Sequence, residues 1–156
     1  MLAIVISAVS ASIALFALGW NIYRDVIAKP RLKAHVSVYD FRDQDGKIVR
    51  TAIMLRGTNW GPGEIVVEKT ITCTKRFFRK ASYGVVIPDV PGKQADVLPK
   101  RLKVSESVQQ FFPYTKDAAE IMATSLIGFC DSLGRYHWAT TESFKQLRAQ
   151  WRKNFQ

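Results

Sequence analysis

The 156-residue sequence predicts a mainly β protein in which an N-terminal transmembrane helix precedes an antiparallel β-sandwich, with one short inserted helix and an amphipathic C-terminal helix. Three observations support this prediction. An uncharged apolar run occupies residues 2–18, apolar and polar residues alternate along several later segments, and turn-forming residues recur about every dozen residues. The remaining residues, about 130, are enough for one domain with its own core.

The apolar run, LAIVISAVSASIALFAL, contains no charge and no proline, and its polar residues are Ser7, Ser10 and Ser12. Continued to Trp20 as a helix with a rise of about 1.5 Å per residue, it is about 30 Å long, which matches the hydrocarbon thickness of a bilayer. A buried helix of a soluble protein usually has a polar stripe, and these scattered serines do not form one. Residues 1–23 are therefore predicted to span a membrane.

A secretory signal peptide is the main alternative, because it also begins a chain with an apolar stretch. It would have a basic region before a shorter apolar core and a cleavage site between small residues. No charged side chain precedes this run, but Ala14, Ala17 and Gly19 form a loose cleavage-like pattern. An exported protein with a cleaved leader therefore stays as an alternative.

Cations follow the predicted helix, in a juxtamembrane segment over residues 24–31 and just beyond it. Positive charge beside a span tends to remain cytoplasmic, so the N-terminus is expected outside and the folded domain inside, against the anionic lipids of the inner (plasma) membrane. Two aromatic residues lie where an interfacial belt is expected. The predicted membrane-interface residues are Trp20, Tyr23, Arg24, Lys29, Arg31 and Lys33.

Small residues recur at four-residue intervals in the apolar run, as in Ala3, Ser7 and Ala11. Such spacing lets two helix backbones approach closely, so homo-oligomerisation through the transmembrane helix is one interpretation. The other is that alanine and serine are simply tolerated in lipid.

Period-two patterns predict the strands of the β-sandwich, which covers residues 32–140. Residues 32–38 alternate, the Asp-Gly turn of Asp43–Gly46 follows, and residues 49–55 continue as a partner strand, which predicts a hairpin. Alternation over residues 65–74 predicts a third strand with Ile71 and Cys73 facing the core. Shorter strands are predicted at residues 82–88, 98–104, 107–114, 125–131 and 135–139.

Two helices are predicted in the second half of the chain. Residues 115–124 have the pattern of a short helix with acidic residues near its start. Residues 141–156 form a basic amphipathic helix, because Phe144, Leu147 and Trp151 recur at helical spacing with cations between them. Its apolar face either lies in a membrane interface or packs on the sandwich. The second is favoured because amphipathicity is the ordinary mark of a surface helix.

Several short phrases together resemble a known group of proteins. They are ALGWNIYRDVIAKPRL after the apolar run, TNWGPGEI and LPKRLKVSESV between strands, FFPY, and DSLGRYHWA. The chain resembles uncharacterised small bacterial single-pass membrane proteins with an immunoglobulin-like β-sandwich. The resemblance implies an immunoglobulin-like domain at a bacterial inner membrane, and it implies no activity. The separation of Cys73 and Cys130 is similar to that of the bridged pair in immunoglobulin domains, but a reducing cytosol predicts that they are unbridged.

The residues that carry enzyme chemistry are scarce. His35 falls on the polar face of a strand, His137 lies beside a tryptophan, and neither cysteine has a neighbour at zinc-ligand spacing. No nucleophile-elbow or phosphate-loop motif occurs. We therefore expect a non-enzymatic protein without a cofactor or metal. Its expected role is a binding or scaffolding module at the membrane, with lipids and a protein as candidate partners.

The net charge of +10 and one short segment favour an alternative function. In TKRFFRK, cations surround two phenylalanines, a pattern suited to neutralising phosphates and stacking on bases. A membrane-tethered receptor for a nucleotide or nucleic acid is therefore the second hypothesis. The competing interpretation is that a phenylalanine belongs to the core and the cations are a solvated strand end. The candidate anion-binding residues are Lys75, Arg76, Phe77, Phe78, Arg79 and Lys80.

Overall fold

The computed structural model describes residues 2–23, 29–74, 82–86 and 95–155. Its helices are α1 (Leu2–Ile22), α2 (Ala119–Ala123, after a 3₁₀ turn over Lys116–Ala118) and α3 (Thr141–Phe155). Its strands are β1 (Leu32–Arg42), β2 (Ile48–Asn59), β3 (Ile65–Thr74), β4 (Ser82–Val85), β5 (Lys100–Leu102), β6 (Ser107–Pro113), β7 (Leu126–Asp131) and β8 (Tyr136–Trp138). The protein is mainly β, with antiparallel sheets and an N-terminal apolar helix, as the sequence predicts.

Among the described helices, α1 is the one whose length and apolar composition suffice to cross a membrane. Within the window from Ile4 to Ile22, no part of it is buried against the rest of the protein. It therefore contributes nothing to the core of the β domain.

The described strands form two antiparallel sheets. The first has the order β1-β2-β6, and the second has the order β4-β3-β7-β8, with β5 also paired to β3. The hairpin between β1 and β2 turns at the predicted position, because the Oδ1 atom of Asp43 accepts hydrogen bonds from the backbone N–H groups of Asp45 and Lys47. Gly46 completes the turn with a positive φ of 78°.

The core lies between the two sheets. Val36, Ile53 and Leu55 from the first sheet pack in one buried cluster with residues of the second, including Phe129 of β7. The two sheets are in close contact at Gly57, where an added Cβ would lie 2.8 Å from the Phe129 ring. Glycine at this position therefore makes room for the aromatic ring.

A bulge in β3 corrects one prediction from alternation. The pairing of β3 with β7 shifts register just after Val67, so one extra residue enters β3 and the faces exchange. Beyond the bulge, Thr70 pairs with the core residue Phe129 and thus faces the core. Ile71 and Cys73 are buried, as the prediction requires, but on the other face of this sheet from Phe129 and outside the cluster between the two sheets.

The two cysteines are free, as predicted, and both are buried. In the β3–β7 register Cys73 pairs with Leu126 and Cys130 pairs with Lys69, so four positions along the strands separate them. At about 3.3 Å per residue this is about 13 Å, whereas a disulfide needs Cα atoms within about 7 Å. Burial raises the pKa of the Cys130 thiol, which keeps it protonated and unreactive.

The apolar face of α3 packs on the β domain, which was the favoured alternative. Phe144, Leu147 and Trp151 are buried in the same core as the sheets, and the Trp151 indole Nε1–H donates to the carbonyl of Thr115 at 2.9 Å. The Oγ of Ser143 accepts from the backbone N–H of β1, so α3 covers the open edge of that strand. Its buried side chains are not available to a membrane.

Candidate functional site

Three turns converge at one end of the β domain, the end at which β1 begins. Leu32, the first residue of β1, pairs with Asn59 at the end of β2, and Ser107, the first residue of β6, pairs with Thr58. The β7–β8 turn reaches the same end because Ser132 donates to the carbonyl of Val66 near the start of β3. We call this end the loop face; it comprises residues 29–33, 60–64, 101–106 and 131–135.

Asn59 joins two of these turns. Its side-chain NH₂ donates to the carbonyls of Gly63 at 2.7 Å and Leu102 at 3.2 Å, and its Oδ1 accepts from Gly61 N–H at 3.0 Å. Its backbone carbonyl also accepts from Ser105 N–H at 2.8 Å. The residue is fully buried, so these hydrogen bonds satisfy polar atoms that water does not reach and hold the β2–β3 and β5–β6 turns together.

Residues 29–31, which lead into β1, pack against the β2–β3 turn. The Trp60 N–H donates to the carbonyl of Arg31 at 2.7 Å. A Cβ at Gly61 would overlap the backbone of Pro30 and Arg31, so only glycine allows this approach. Gly63 also lies against the ring of Pro30. Residues 29–31 are thereby fixed against the loop face.

The β7–β8 turn is organised by a buried carboxylate. Asp131 accepts hydrogen bonds from the backbone N–H groups of Leu133 and Arg135, from Arg135 Nε at 2.7 Å, and lies 3.0 Å from His137 Nε2. Burial is the largest single influence and favours the protonated acid, but the hydrogen bonds from His137 and Arg135 together outweigh it and lower the pKa of Asp131. The carboxylate is therefore ionised and acts as a structural acceptor.

Each turn of the loop face presents a large apolar side chain to solvent. Trp60 is 71% exposed, Leu133 is 73% exposed and Val104 is 50% exposed. The Lys33 ammonium lies 5.9 Å from the centroid of the Trp60 ring, within the range of a cation–π contact. These side chains contribute little to the core, so the fold does not account for their apolar character.

The predicted membrane-interface residues fall into three places. Trp20 and Tyr23 are exposed at the end of α1, with ring centroids 5.9 Å apart. Lys29, Arg31 and Lys33 are exposed and belong to the loop face. The prediction for Arg24 and the six candidate anion-binding residues, 75–80, lies outside the described residues. The nucleotide or nucleic acid hypothesis therefore stays a prediction.

Gly134 lies in the β7–β8 turn with a positive φ of 73°. The exposed apolar tips and Asp131 were not identified from the sequence. A signal for Asp131 existed, because an aspartate directly before a Ser-Leu-Gly turn suits acceptance from backbone N–H groups two and four residues on. No comparable signal in the sequence marks Trp60, because its exposure depends on how residues 29–31 pack against the β2–β3 turn.

The described residues contain no group of three or more His, Cys, Asp or Glu that could hold a metal ion. His35 is exposed and His137 is engaged with Asp131. Comparisons of the chain with protein-family models, with curated proteins and with solved structures find no match.

Proposed function

We propose that this chain is a single-pass membrane protein whose β domain is a non-enzymatic binding or scaffolding module held against an anionic membrane surface. The observation that carries the proposal is the exposure of α1 over its described side chains. Among these, ten large apolar side chains are exposed. At roughly 1.5 kcal/mol for each such side chain, their exposure to water costs about 15 kcal/mol, as much as the whole stability of a typical domain. A bilayer removes this cost.

The proposed domain is an immunoglobulin-like sandwich, and the strand order supports this. Sheets of order β1-β2-β6 and β4-β3-β7-β8 correspond to strands A-B-E and C′-C-F-G of that fold. A parallel bridge between Ala34 and Ala139 closes the two sheets along one side. The domain departs from antibody domains in its cysteines, which lie on adjacent strands of one sheet and are free.

The proposed orientation has the N-terminus outside and the β domain in the cytoplasm of a bacterial cell. The charge beside α1 supports it, because Lys29, Arg31 and Lys33 follow the helix within a dozen residues and cations near a span tend to remain inside. The inner leaflet is anionic and attracts each nearby cation by about 1 kcal/mol. The unbridged cysteines are also consistent with a reducing compartment.

Three measurements on the full chain test the proposal. After alkaline extraction of membranes, the protein is expected to stay in the membrane pellet, and its intact mass is expected to include residues 1–23. A soluble chain that lacks about the first 19 residues would instead support the exported alternative. For orientation, a fluorescent protein fused after Gln156 is expected to fluoresce, and alkaline phosphatase at the same position is expected to be inactive. The reverse pattern would place the domain outside.

A further inference from the structure

We propose that the loop face is the surface with which the β domain docks on anionic phospholipid, with Trp60, Val104 and Leu133 inserted among the lipid headgroups. This inference rests on the proposed function and specifies which side of the domain meets the membrane. It makes the three turns one lipid-binding site.

The covalent chain keeps the loop face close to the end of α1. Six residue steps separate Tyr23 from Lys29, and a chain spans at most about 3.6 Å per step, so the two Cα atoms lie within about 22 Å in any conformation of the residues between. Residues Lys29–Arg31 pack against the β2–β3 turn. If α1 spans the bilayer, the loop face is therefore the part of the domain held nearest to the surface.

The apolar tips suit insertion into a membrane interface. Tryptophan is favoured there because its ring is apolar and its N–H is polar. Trp60 has one neighbouring cation, Lys33, which can remain with the phosphates while the ring inserts. Val104 and Leu133 sit on separate turns at the same end and add apolar area. Their exposure in water is explained if lipid covers them.

The charge of the loop face complements an anionic surface. Its cations outnumber its carboxylates, and all three carboxylates are engaged: Asp131 is buried with Arg135, and Glu64 lies 3.5 Å from Arg101. Glu106 caps the backbone N–H of Lys103 at 2.8 Å. The cations are Lys29, Arg31, Lys33, Arg101, Lys103 and Arg135, and the carboxylates are Glu64, Glu106 and Asp131.

The β1–β2 hairpin, at the other end of β1 and β2, has no such excess of cations. The β1–β2 hairpin carries three cations and three aspartates, so its formal charge is zero. These residues are Arg42, Lys47 and Arg50 with Asp40, Asp43 and Asp45. Val49 is also exposed there, ten residues along β2 from Asn59, or about 33 Å at 3.3 Å per residue. This end provides a matched control position.

The test uses the full chain in nanodiscs of phosphatidylcholine and phosphatidylglycerol in equal parts. A thiol-reactive NBD fluorophore is placed at one position at a time: Leu133→Cys or Val104→Cys on the loop face, Val49→Cys on the hairpin, or Ile13→Cys within α1. Cys73 and Cys130 are buried and do not compete for the label in the folded protein. Quenching by nitroxide-labelled lipid then reports contact with the membrane.

We expect lipid to quench the Leu133, Val104 and Ile13 probes and to leave the Val49 probe bright. In nanodiscs of phosphatidylcholine alone, quenching at the loop face is expected to fall while quenching at Ile13 is unchanged. If the Ile13 probe is quenched but the loop-face probes are not, or if Val49 is quenched as strongly as they are, the docking proposal is wrong and the anchor stands. An unquenched Ile13 probe would instead overturn the proposed function itself.

A pair of double variants separates insertion from simple proximity. Trp60→Ser with Leu133→Ser, probed at Val104→Cys, is expected to lose most of the lipid quenching. The matched control, Ile48→Ser with Val49→Ser and the same probe, removes two exposed apolar residues from the hairpin and is expected to keep it. Equal quenching in both variants would show that the apolar tips do not insert. Because all four side chains are mainly exposed, neither variant is expected to unfold the domain.

Discussion

Replacing Asp131 with asparagine is expected to destabilise the folded domain by about 2 kcal/mol at neutral pH. Asparagine keeps Oδ1, which accepts from the turn N–H groups, but its NH₂ group cannot accept the Arg135 Nε–H that now bonds to Oδ2 at 2.7 Å. A hydrogen bond to a charged group contributes about 1.5–3 kcal/mol. The lower half of that range applies because the Arg135 side chain is 35% exposed and regains water.

The same variant is expected to change the dependence of stability on pH. The pKa of Asp131 is lowered from its ordinary value of 3.8 in the folded state. The ionised carboxylate therefore stabilises the fold fully above about pH 4, and this contribution is lost as the pH falls through the lower, folded-state pKa. Asparagine does not titrate. The difference in stability between the wild type and Asp131→Asn is expected to be largest at neutral pH and to shrink in acid.

Urea unfolding of the full chain in detergent micelles, followed by tryptophan fluorescence, measures both effects. Equal slopes against urea are required before the free energies are compared. The control is Asp45→Asn, an exposed aspartate of the hairpin, which is expected to change stability by less than about 0.5 kcal/mol. A loss that small for Asp131→Asn, or a loss that stays constant into acid, would refute the structural role given to this carboxylate.

Three further substitutions test the packing with the same assay. Thr70→Val is expected to stabilise the domain by about 1 kcal/mol, because Thr70 Oγ1 is buried and has no hydrogen-bond partner within the described part of the chain. The control is Thr72→Val, which removes the hydrogen bond from Thr72 Oγ1 to the carbonyl of Gly84 and is expected not to stabilise the domain. Gly57→Ala is expected to cost about 1–3 kcal/mol because its Cβ meets the Phe129 ring, and an unchanged midpoint would contradict this. Arg148→Met is expected to change stability by less than about 1 kcal/mol. Burial and then Arg152 lower the pKa of Arg148 and disfavour its charge, while its guanidinium carbon lies 4.6 Å from the Phe144 ring centroid, a contact that contributes about 0.5–1 kcal/mol. A loss of about 2 kcal/mol would contradict this prediction.

The fold was predictable where local pattern and tertiary structure agree. The Asp43–Gly46 turn and the amphipathic α3 follow from short-range rules, and both occur as predicted. The orientation of β3 was not predictable beyond Val67, because a single extra residue reverses every later side chain. Nothing in the composition near Glu68 signals the bulge, which is seen only once β7 is paired with β3.

The candidate site was predictable only in part, because its members come from turns distant in sequence. Lys29, Arg31 and Lys33 could be identified from their position after α1. Trp60 and Leu133 could not, because each is a single apolar residue in a polar turn, and scattered apolar residues are common on protein surfaces. Trp60 and Leu133 can be recognised as parts of one surface only when strand pairing brings their turns to the same end of the domain.

The net charge alone also does not indicate which side of the β domain faces the membrane. A charge of +10 attracts the whole chain to an anionic surface but does not select a face. The loop face and the hairpin are separated by about 33 Å along β2, whereas electrostatic interactions in physiological salt decay over about 8 Å. The hairpin and the loop face therefore interact with an anionic membrane almost independently, and the cationic loop face is attracted while the neutral hairpin is not. The cations of the loop face, together with the short connection to α1, therefore favour docking through the loop face over docking through the hairpin.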